Sequence, residues 1–133
     1  MDAAQALEEL AELSSQVDRA VVIRADGSVL AATPDDAAGA AGAERLARAA
    51  LDLVATAFDL HGTPQEVSRV DVELGEGALF VVREGGRTIA ATTGPRPTTG
   101  LVVYDLRTCL QRIGEEPKPK RRRAARKPEE DGE

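Results

Sequence analysis

The stretch that decides the fold lies at residues 19–32 and reads Arg-Ala-Val-Val-Ile-Arg-Ala-Asp-Gly-Ser-Val-Leu-Ala-Ala. Two apolar runs, residues 19–24 and 28–32, flank the sequence Ala25-Asp26-Gly27. An Asp-Gly pair takes the positive φ angles that a tight hairpin turn requires. Strands joined by so short a turn are antiparallel neighbours, so these residues predict the first hairpin of an antiparallel sheet.

Three further extended runs follow at residues 67–74, 78–82 and 88–92. The first alternates between apolar and charged side chains, which is typical of a strand with one covered face. Gly75-Glu76-Gly77 separates the first run from the second, and the segment Glu84-Gly85-Gly86-Arg87 predicts a second hairpin.

Helical periodicity marks three other segments, at residues 2–16, 41–60 and 99–113. Residues 34–39, with Pro34 and Gly39, predict a loop before the long second helix, and His61 with Gly62 predicts its end. The predicted order is therefore α-β-β-α-β-β-β-α. It indicates an α+β fold, a helix–sheet sandwich built on a five-stranded antiparallel sheet.

Composition divides the 133 residues into one domain, residues 1–113, and a charged tail, residues 114–133. The domain holds ten arginines, no lysine and 17 acidic residues, a net charge of −7. A body this acidic repels phosphate backbones, which argues against duplex recognition by the folded part. The tail has no branched aliphatic or aromatic residue and is predicted to be disordered.

The long helix is apolar over about half of its circumference, more than the single stripe of a surface helix. One row contains Leu46, Ala50, Leu53, Ala57 and Leu60, and a second row contains Ala47, Leu51, Val54 and Phe58. Either the helix is sunk deeply between the sheet and its neighbours, or the second row packs against a second copy of the chain. The second alternative, favoured here, predicts a homodimer closed by a self-complementary patch.

Residues that carry chemistry are scarce. His61 is the single histidine and lies where a helix ends, and Cys109 is the single cysteine, next to the apolar Leu110. Neither is placed beside a partner for nucleophilic catalysis, and no metal-ligand spacing occurs. The segment Gly94-Pro-Arg-Pro-Thr-Thr-Gly100 precedes a helix but lacks the lysine of a phosphate-binding loop. We therefore predict no catalytic residues, no cofactor and no metal.

The tail contains a basic run, residues 118–127, with seven positive charges in ten residues. These charges are Lys118, Lys120, Arg121, Arg122, Arg123, Arg126 and Lys127. Such a run either solubilises the chain or binds an acidic protein, an anionic membrane surface or nucleic acid. The absence of interleaved aromatic residues argues against single-strand binding.

The amino-terminal residues are acidic where a secretory signal is basic, and no apolar stretch has the length of a membrane span. The sequence therefore predicts a soluble, cytoplasmic protein.

Residues 6–113 resemble the roadblock (dynein light chain) family, including bacterial MglB-type regulators of Ras-like GTPases. The resemblance rests on the order of elements, on residues 10–13 with 19–31, on the alanine-rich helix and on Thr99-Gly-Leu-Val-Val-Tyr-Asp-Leu-Arg. It implies a five-stranded sheet, a homodimer formed through the long helix and an edge strand, here residues 67–74, and a small GTPase as partner. It implies nothing about the basic tail.

The function predicted from these observations is a non-catalytic homodimeric adaptor that regulates or scaffolds a small Ras-like GTPase. A polar strip on the long helix is the predicted partner surface, formed by Arg45, Arg48, Asp52 and Asp59. Two alternatives stay open: a small-molecule sensor domain, and a nucleic-acid or anionic-surface binding protein that acts through the basic tail. The scarcity of aromatic and convergent polar residues argues against the sensor.

Overall fold

A computed structural model of the chain describes residues 1–34, 37–61 and 67–114, with side chains described for 1–34, 41–60 and 67–114. The predicted tail beyond Gly114, the end of the second helix at Gly62 and the acidic pair Asp35-Asp36 lie outside the described residues.

Three helices and five strands follow one another in the predicted order. They are α1 (Ala3–Leu13), β1 (Val17–Ile23), β2 (Val29–Thr33), α2 (Ala37–His61), β3 (Arg69–Leu74), β4 (Gly77–Glu84), β5 (Arg87–Thr93) and α3 (Thr99–Arg112). The prediction that Gly39 belongs to a loop is wrong, because α2 already begins at Ala37. A run of alanines on both sides of Gly39 offsets the low helix propensity of a single glycine.

Local interactions fix the ends of the first elements. Asp2 caps α1 with a capping box: its Oδ1 accepts the backbone N–H of Gln5 at 2.8 Å, and the Gln5 side chain accepts the N–H of Asp2 at 3.2 Å. In the β1–β2 turn, the Asp26 carboxylate accepts both the backbone N–H and the hydroxyl of Ser28. These two hydrogen bonds lower the pKa of Asp26, and Gly27 supplies the predicted positive φ of 94°.

The five strands form one antiparallel sheet in the order β2-β1-β5-β4-β3. The predicted hairpins join β1 to β2, β3 to β4 and β4 to β5, the last through Gly85 and Gly86 with positive φ. The strand β5 returns to pair with β1, which brings the two halves of the sequence into one sheet. The strand β3 lies at one edge, as the family resemblance implied, and β2 lies at the other.

Helices cover both faces of the sheet. On one face, α1 and α3 pack over Ala20, Val22, Phe80, Val82 and Ile89. On the other face, α2 packs over a smaller core. That core contains Val21, Ile23, Ala43, Leu46, Ala47, Ala50, Val81 and Ala90. The sandwich therefore has three layers, and the sheet is its middle layer.

Candidate interaction surface

The two apolar rows of α2 face different parts of the sheet. Leu46, from the first row, lines a groove with Leu74 and Leu79 beside the β3–β4 hairpin. Leu51, from the second row, lies 3.5 Å from where a Cβ on Gly27 would stand, in the β1–β2 hairpin. The first row is therefore turned toward β3, and the second row is turned toward β2.

The second row was predicted to form a dimer interface, and this stays a prediction. Ala47 is 4% exposed and belongs to the core between α2 and the chain's own sheet. Leu51 and Val54 are half-buried and pack against that same core. Phe58, at 39% exposure, presents the largest surface of the four. The first part of this row therefore packs on the chain's own sheet.

The last turns of α2 extend beyond the core. The helix has 25 residues, a length of about 37 Å, whereas β4, with 8 residues, spans about 27 Å. Exposure increases accordingly along the first row, from the buried Ala50 through the half-buried Leu53 and Ala57 to Leu60, which is 82% exposed. The end of α2 therefore presents an apolar surface formed by Leu53, Ala57 and Leu60.

The open edge of the sheet lies on the same side as this row. Along β3, Val70 and Val72 are half-buried and point to the α2 face, and Leu74 is 59% exposed. The opposite face carries Arg69 and Asp71, whose side chains form a two-pronged ion pair at 2.6–3.1 Å. The main helix contacts of β3 are with α2, whereas both α1 and α2 contact the other edge strand, β2.

An open groove of about 620 Å³ runs between α2 and the β3–β4 hairpin. Its walls are largely apolar and include Leu46, Leu74, Ala78 and Leu79. At its end, Gly77 brings the backbone close to β5, since a Cβ at this position would stand 2.2 Å from the carbonyl oxygen of Thr93. The half-exposed row of α2, the edge of β3 and this groove lie on the same side of the domain, and together we name them the β3-side surface.

Sequence reasoning recognised the parts of the β3-side surface but did not join them. It identified the row with Leu53, Ala57 and Leu60 and placed β3 at an edge by resemblance, and it predicted the dimer interface on the other row of α2. The missing information was which flank of α2 lies toward β3. That flank follows from the order of strands across the sheet and not from the helical period.

The four residues of the predicted polar strip, Arg45, Arg48, Asp52 and Asp59, are all exposed on α2. Arg48 and Asp52 lie together along a second groove, of about 320 Å³, between α2 and the β1–β2 hairpin. Glu44 lines the same groove, so its helix wall carries charges of both signs. Arg45 and Asp59 lie outside the groove lining.

The residues considered for chemistry are not assembled into a site. Cys109 is buried in the α1–α3 layer, and burial raises the pKa of its thiol to about 11. The side chain of His61 lies outside the described ones. Within residues 1–34, 41–60 and 67–114, no group of three or more His, Cys, Asp or Glu side chains is placed to hold a metal ion. None of the helices in the described part combines the length and hydrophobicity that crossing a membrane requires.

Solved structures share this architecture, although no protein-family model matches the sequence and no curated protein matches it. A Roadblock/LC7 domain from Streptomyces avermitilis superposes with a TM-score of 0.69 at 23% identity, covering 84% of this chain and 93% of that one. A second Roadblock/LC7 domain structure from the same organism gives 0.64 at 26% identity, covering 82% and 95%. The gliding protein MglB of Thermus thermophilus gives 0.59 at 19% identity, covering 80% and 82%. The fold that the sequence resemblance implied is confirmed: the chain has the fold of these Roadblock/LC7 domains.

Proposed function

We propose that this chain is a homodimeric adaptor that binds a small Ras-like GTPase and either regulates or scaffolds it. The observation that carries the proposal is the β3-side surface, where an open strand edge adjoins the exposed end of α2. In this proposal the chain has no active site of its own and acts in the cytoplasm.

The dimer that fits this surface has a two-fold axis perpendicular to the sheet at β3. Antiparallel pairing of β3 with its copy satisfies the free backbone groups of the edge, which would otherwise invite uncontrolled association. The same axis places two α2 helices side by side and antiparallel. The exposed end of each helix, with Leu60, then lies beside the first half of the other helix, where the groove lined by Leu46 and Leu74 is open.

The two edges of the sheet differ in a way that favours β3. The strand β2 is flanked by α1 and α2, and Pro34 follows it directly. The strand β3 has no proline, and the exposed Leu74 lies at its end. An isologous interface at β3 would bury apolar side chains and pair backbone groups at once.

Support for a GTPase partner comes from the family that the sequence resembles, which includes MglB-type regulators of Ras-like GTPases. The mixed-charge groove with Glu44, Arg48 and Asp52 is the surface we assign to this partner. It lies on the flank of α2 that faces away from β3, so dimerisation leaves it open. Charged rims of this kind govern the rate and specificity of association more than total affinity.

The test uses the small GTPase encoded nearest to this chain, loaded with GDP or with a non-hydrolysable GTP analogue. We expect binding in one nucleotide state and a loss of about tenfold or more in affinity when Arg48, which lines this groove, is replaced by glutamate. Arg96→Glu, at an exposed position before α3, is the matched control and keeps the affinity. Absence of binding in both nucleotide states would contradict the GTPase assignment, and light scattering on the same samples tests the dimer separately.

A further inference from the structure

The basic run at residues 118–127 begins four residues after Gly114, and the structure fixes where Gly114 lies. Its backbone N–H donates to the carbonyl of Met1 at 2.8 Å, directly before α1. The Arg87 guanidinium donates to the carbonyl oxygens of Ile113 at 3.4 Å and of Gly114 at 3.2 Å. The segment that carries the basic run therefore leaves the domain at the end where α1 starts.

A shallow groove of about 30 Å³ lies in the seam between α1 and α3, which pack antiparallel. It is lined by Ala6, Leu10, Leu13, Asp105, Thr108, Cys109 and Arg112, and the positive charge of Arg112 is paired with Glu9. The α1–α3 layer also exposes apolar side chains: Leu13, in the groove lining, is 69% exposed, and Tyr104 on α3 is 67% exposed. Because these residues lie on the α1–α3 face, the proposed dimer on the α2 face does not cover them.

The wall formed by α1 is strongly acidic. The helix and its cap carry Asp2, Glu8, Glu9 and Glu12 and no basic residue. Of these, Glu9 pairs with Arg112 and Asp2 caps the helix. In the part of the chain that the structure describes, Glu8 and Glu12 are left without a hydrogen bond or an ion pair, and both are exposed.

The geometry points to an intramolecular occupant: we propose that the basic run at residues 118–127 docks along the α1–α3 groove of its own chain. Its length allows this. Lys118 is at most about 14 Å of extended chain from Gly114, and α1, with 11 residues, is about 16 Å long. The ten residues of the run are long enough to follow the whole helix.

The chemistry of the two sides is complementary. Seven positive charges meet the acidic face of α1 and Asp105, and the apolar stems of lysine and arginine cover exposed leucine side chains well. An arginine that lies over Tyr104 adds a cation–π contact. Each exposed ion pair contributes little alone, but attachment at Gly114 gives the run a high effective concentration at the groove.

Docking has a functional consequence that is independent of the GTPase proposal. While the run lies on α1, its charges are neutralised within the chain. An anionic partner must displace it before binding, so the affinity of the run for any polyanion is lower in the full chain than for the free peptide. The acidic face of α1 therefore lowers the affinity with which the basic run binds an anionic partner.

Lysine distribution offers a clean test, because Lys118, Lys120 and Lys127 are the only lysines of the chain. A zero-length carbodiimide that joins lysine amines to carboxylates therefore reports only on this run, and links from the terminal amine of Met1 are told apart by peptide mapping. In the purified full chain at low salt, we expect the lysine links to fall on α1 and Asp105, and to decrease roughly threefold or more at about 0.5 M salt. Mixing isotopically heavy and light chains separates links within one chain from links between two.

The discriminating variant replaces Glu8 and Glu12 by glutamine, which leaves the Glu9–Arg112 pair and the cap intact. Because the two replaced residues can no longer be linked, the readout is the unchanged Asp105, and we expect most links to Asp105 to be lost. The matched control replaces Glu44 by glutamine and Asp52 by asparagine on α2. We expect this control to keep the links to the α1–α3 layer. Links that fall mainly on α2, that remain within residues 129–133, or that form only between chains would overturn the proposal.

Discussion

The two halves of α2 have similar sequences and different surroundings. In the first half, Ala43, Leu46, Ala47 and Ala50 are buried against the sheet. In the second half, Leu53 and Ala57 are half-buried and Leu60 is almost fully exposed. The apolar period is the same in both halves, so the difference arises from the sheet, which covers the first half and ends before the second.

In the proposed dimer, this difference separates folding from association within one helix. Apolar residues over the sheet stabilise the monomer, and apolar residues beyond the sheet are available to a second molecule. If the distinction is correct, substitutions in the first half lower the free energy of unfolding, and substitutions at the exposed end change the oligomeric state.

The largest effect is expected from a charge in the covered half. Ala50→Glu places a carboxylate where the present side chain has no exposed surface, between the helix and Val81 and Ala90. An unpaired buried charge together with overpacking is expected to destabilise the domain by about 4 kcal/mol or more. Ala49→Glu, one residue away on the exposed side, should change stability by about 0.5 kcal/mol at most. Urea denaturation followed by circular dichroism measures both, and equal effects would contradict the burial assigned to this half.

A smaller effect is expected when one leucine in each half of α2 is replaced by alanine. Leu46→Ala creates a cavity in the buried part and should cost about 2–4 kcal/mol. Leu60→Ala removes a side chain that is already in solvent and should change the unfolding free energy of the monomer by about 0.5 kcal/mol at most. The measurement is denaturant unfolding at a protein concentration where the chain is monomeric. A large loss for Leu60→Ala there would mean that the end of α2 packs within its own chain.

The groove beside the first half depends on the close approach of Gly77 to Thr93. A methyl group at residue 77 meets a backbone carbonyl, so Gly77→Ala should cost about 1–3 kcal/mol. Gly75→Ala, two residues earlier, meets nothing within 4 Å and is the control. Thermal unfolding of the two variants should show a clear decrease of the melting temperature for the first alone; a matching decrease for Gly75→Ala would contradict this explanation.

The smallest effect is expected in the α1–α3 layer, where the reactivity of the Cys109 thiol reports on burial. Burial raises its pKa to about 11 from the ordinary 9.0, so the thiol stays protonated in the folded chain and should react slowly with a disulfide reagent at pH 8. Between pH 9 and 11 the unfolded chain has lost this proton and the folded chain has kept it. Stability therefore falls as pH rises through this range. Equal reaction rates in the folded chain and in denaturant would show that the thiol is accessible.

Local sequence patterns were sufficient for the elements of this fold. The Asp26-Gly27 and Gly85-Gly86 turns determine two hairpins, and alternation along residues 67–74 correctly predicts the strand β3. The start of α2 was misplaced because Gly39 was taken as a helix breaker, although the alanines around it carry the helix to Ala37.

The candidate surface could be predicted only in part. Helical periodicity gives the angle of Ala47 and Leu53 around the axis of α2, but it does not say what lies on either side. That depends on the return of β5 to pair with β1, which orders the sheet and leaves β3 open. This pairing joins residues far apart in sequence, and no local pattern encodes it.

Sedimentation velocity on two matched variants of α2 tests the proposed dimer interface at β3 most directly. Leu53→Glu places a charge on the row that faces β3, and Leu51→Glu places the same charge on the row that faces the β1–β2 hairpin. We predict a dimer for the unmodified chain, a folded monomer for Leu53→Glu, and a dimer of reduced stability for Leu51→Glu. A dimeric Leu53→Glu variant, or a monomer produced by Leu51→Glu alone, would contradict the β3-side interface.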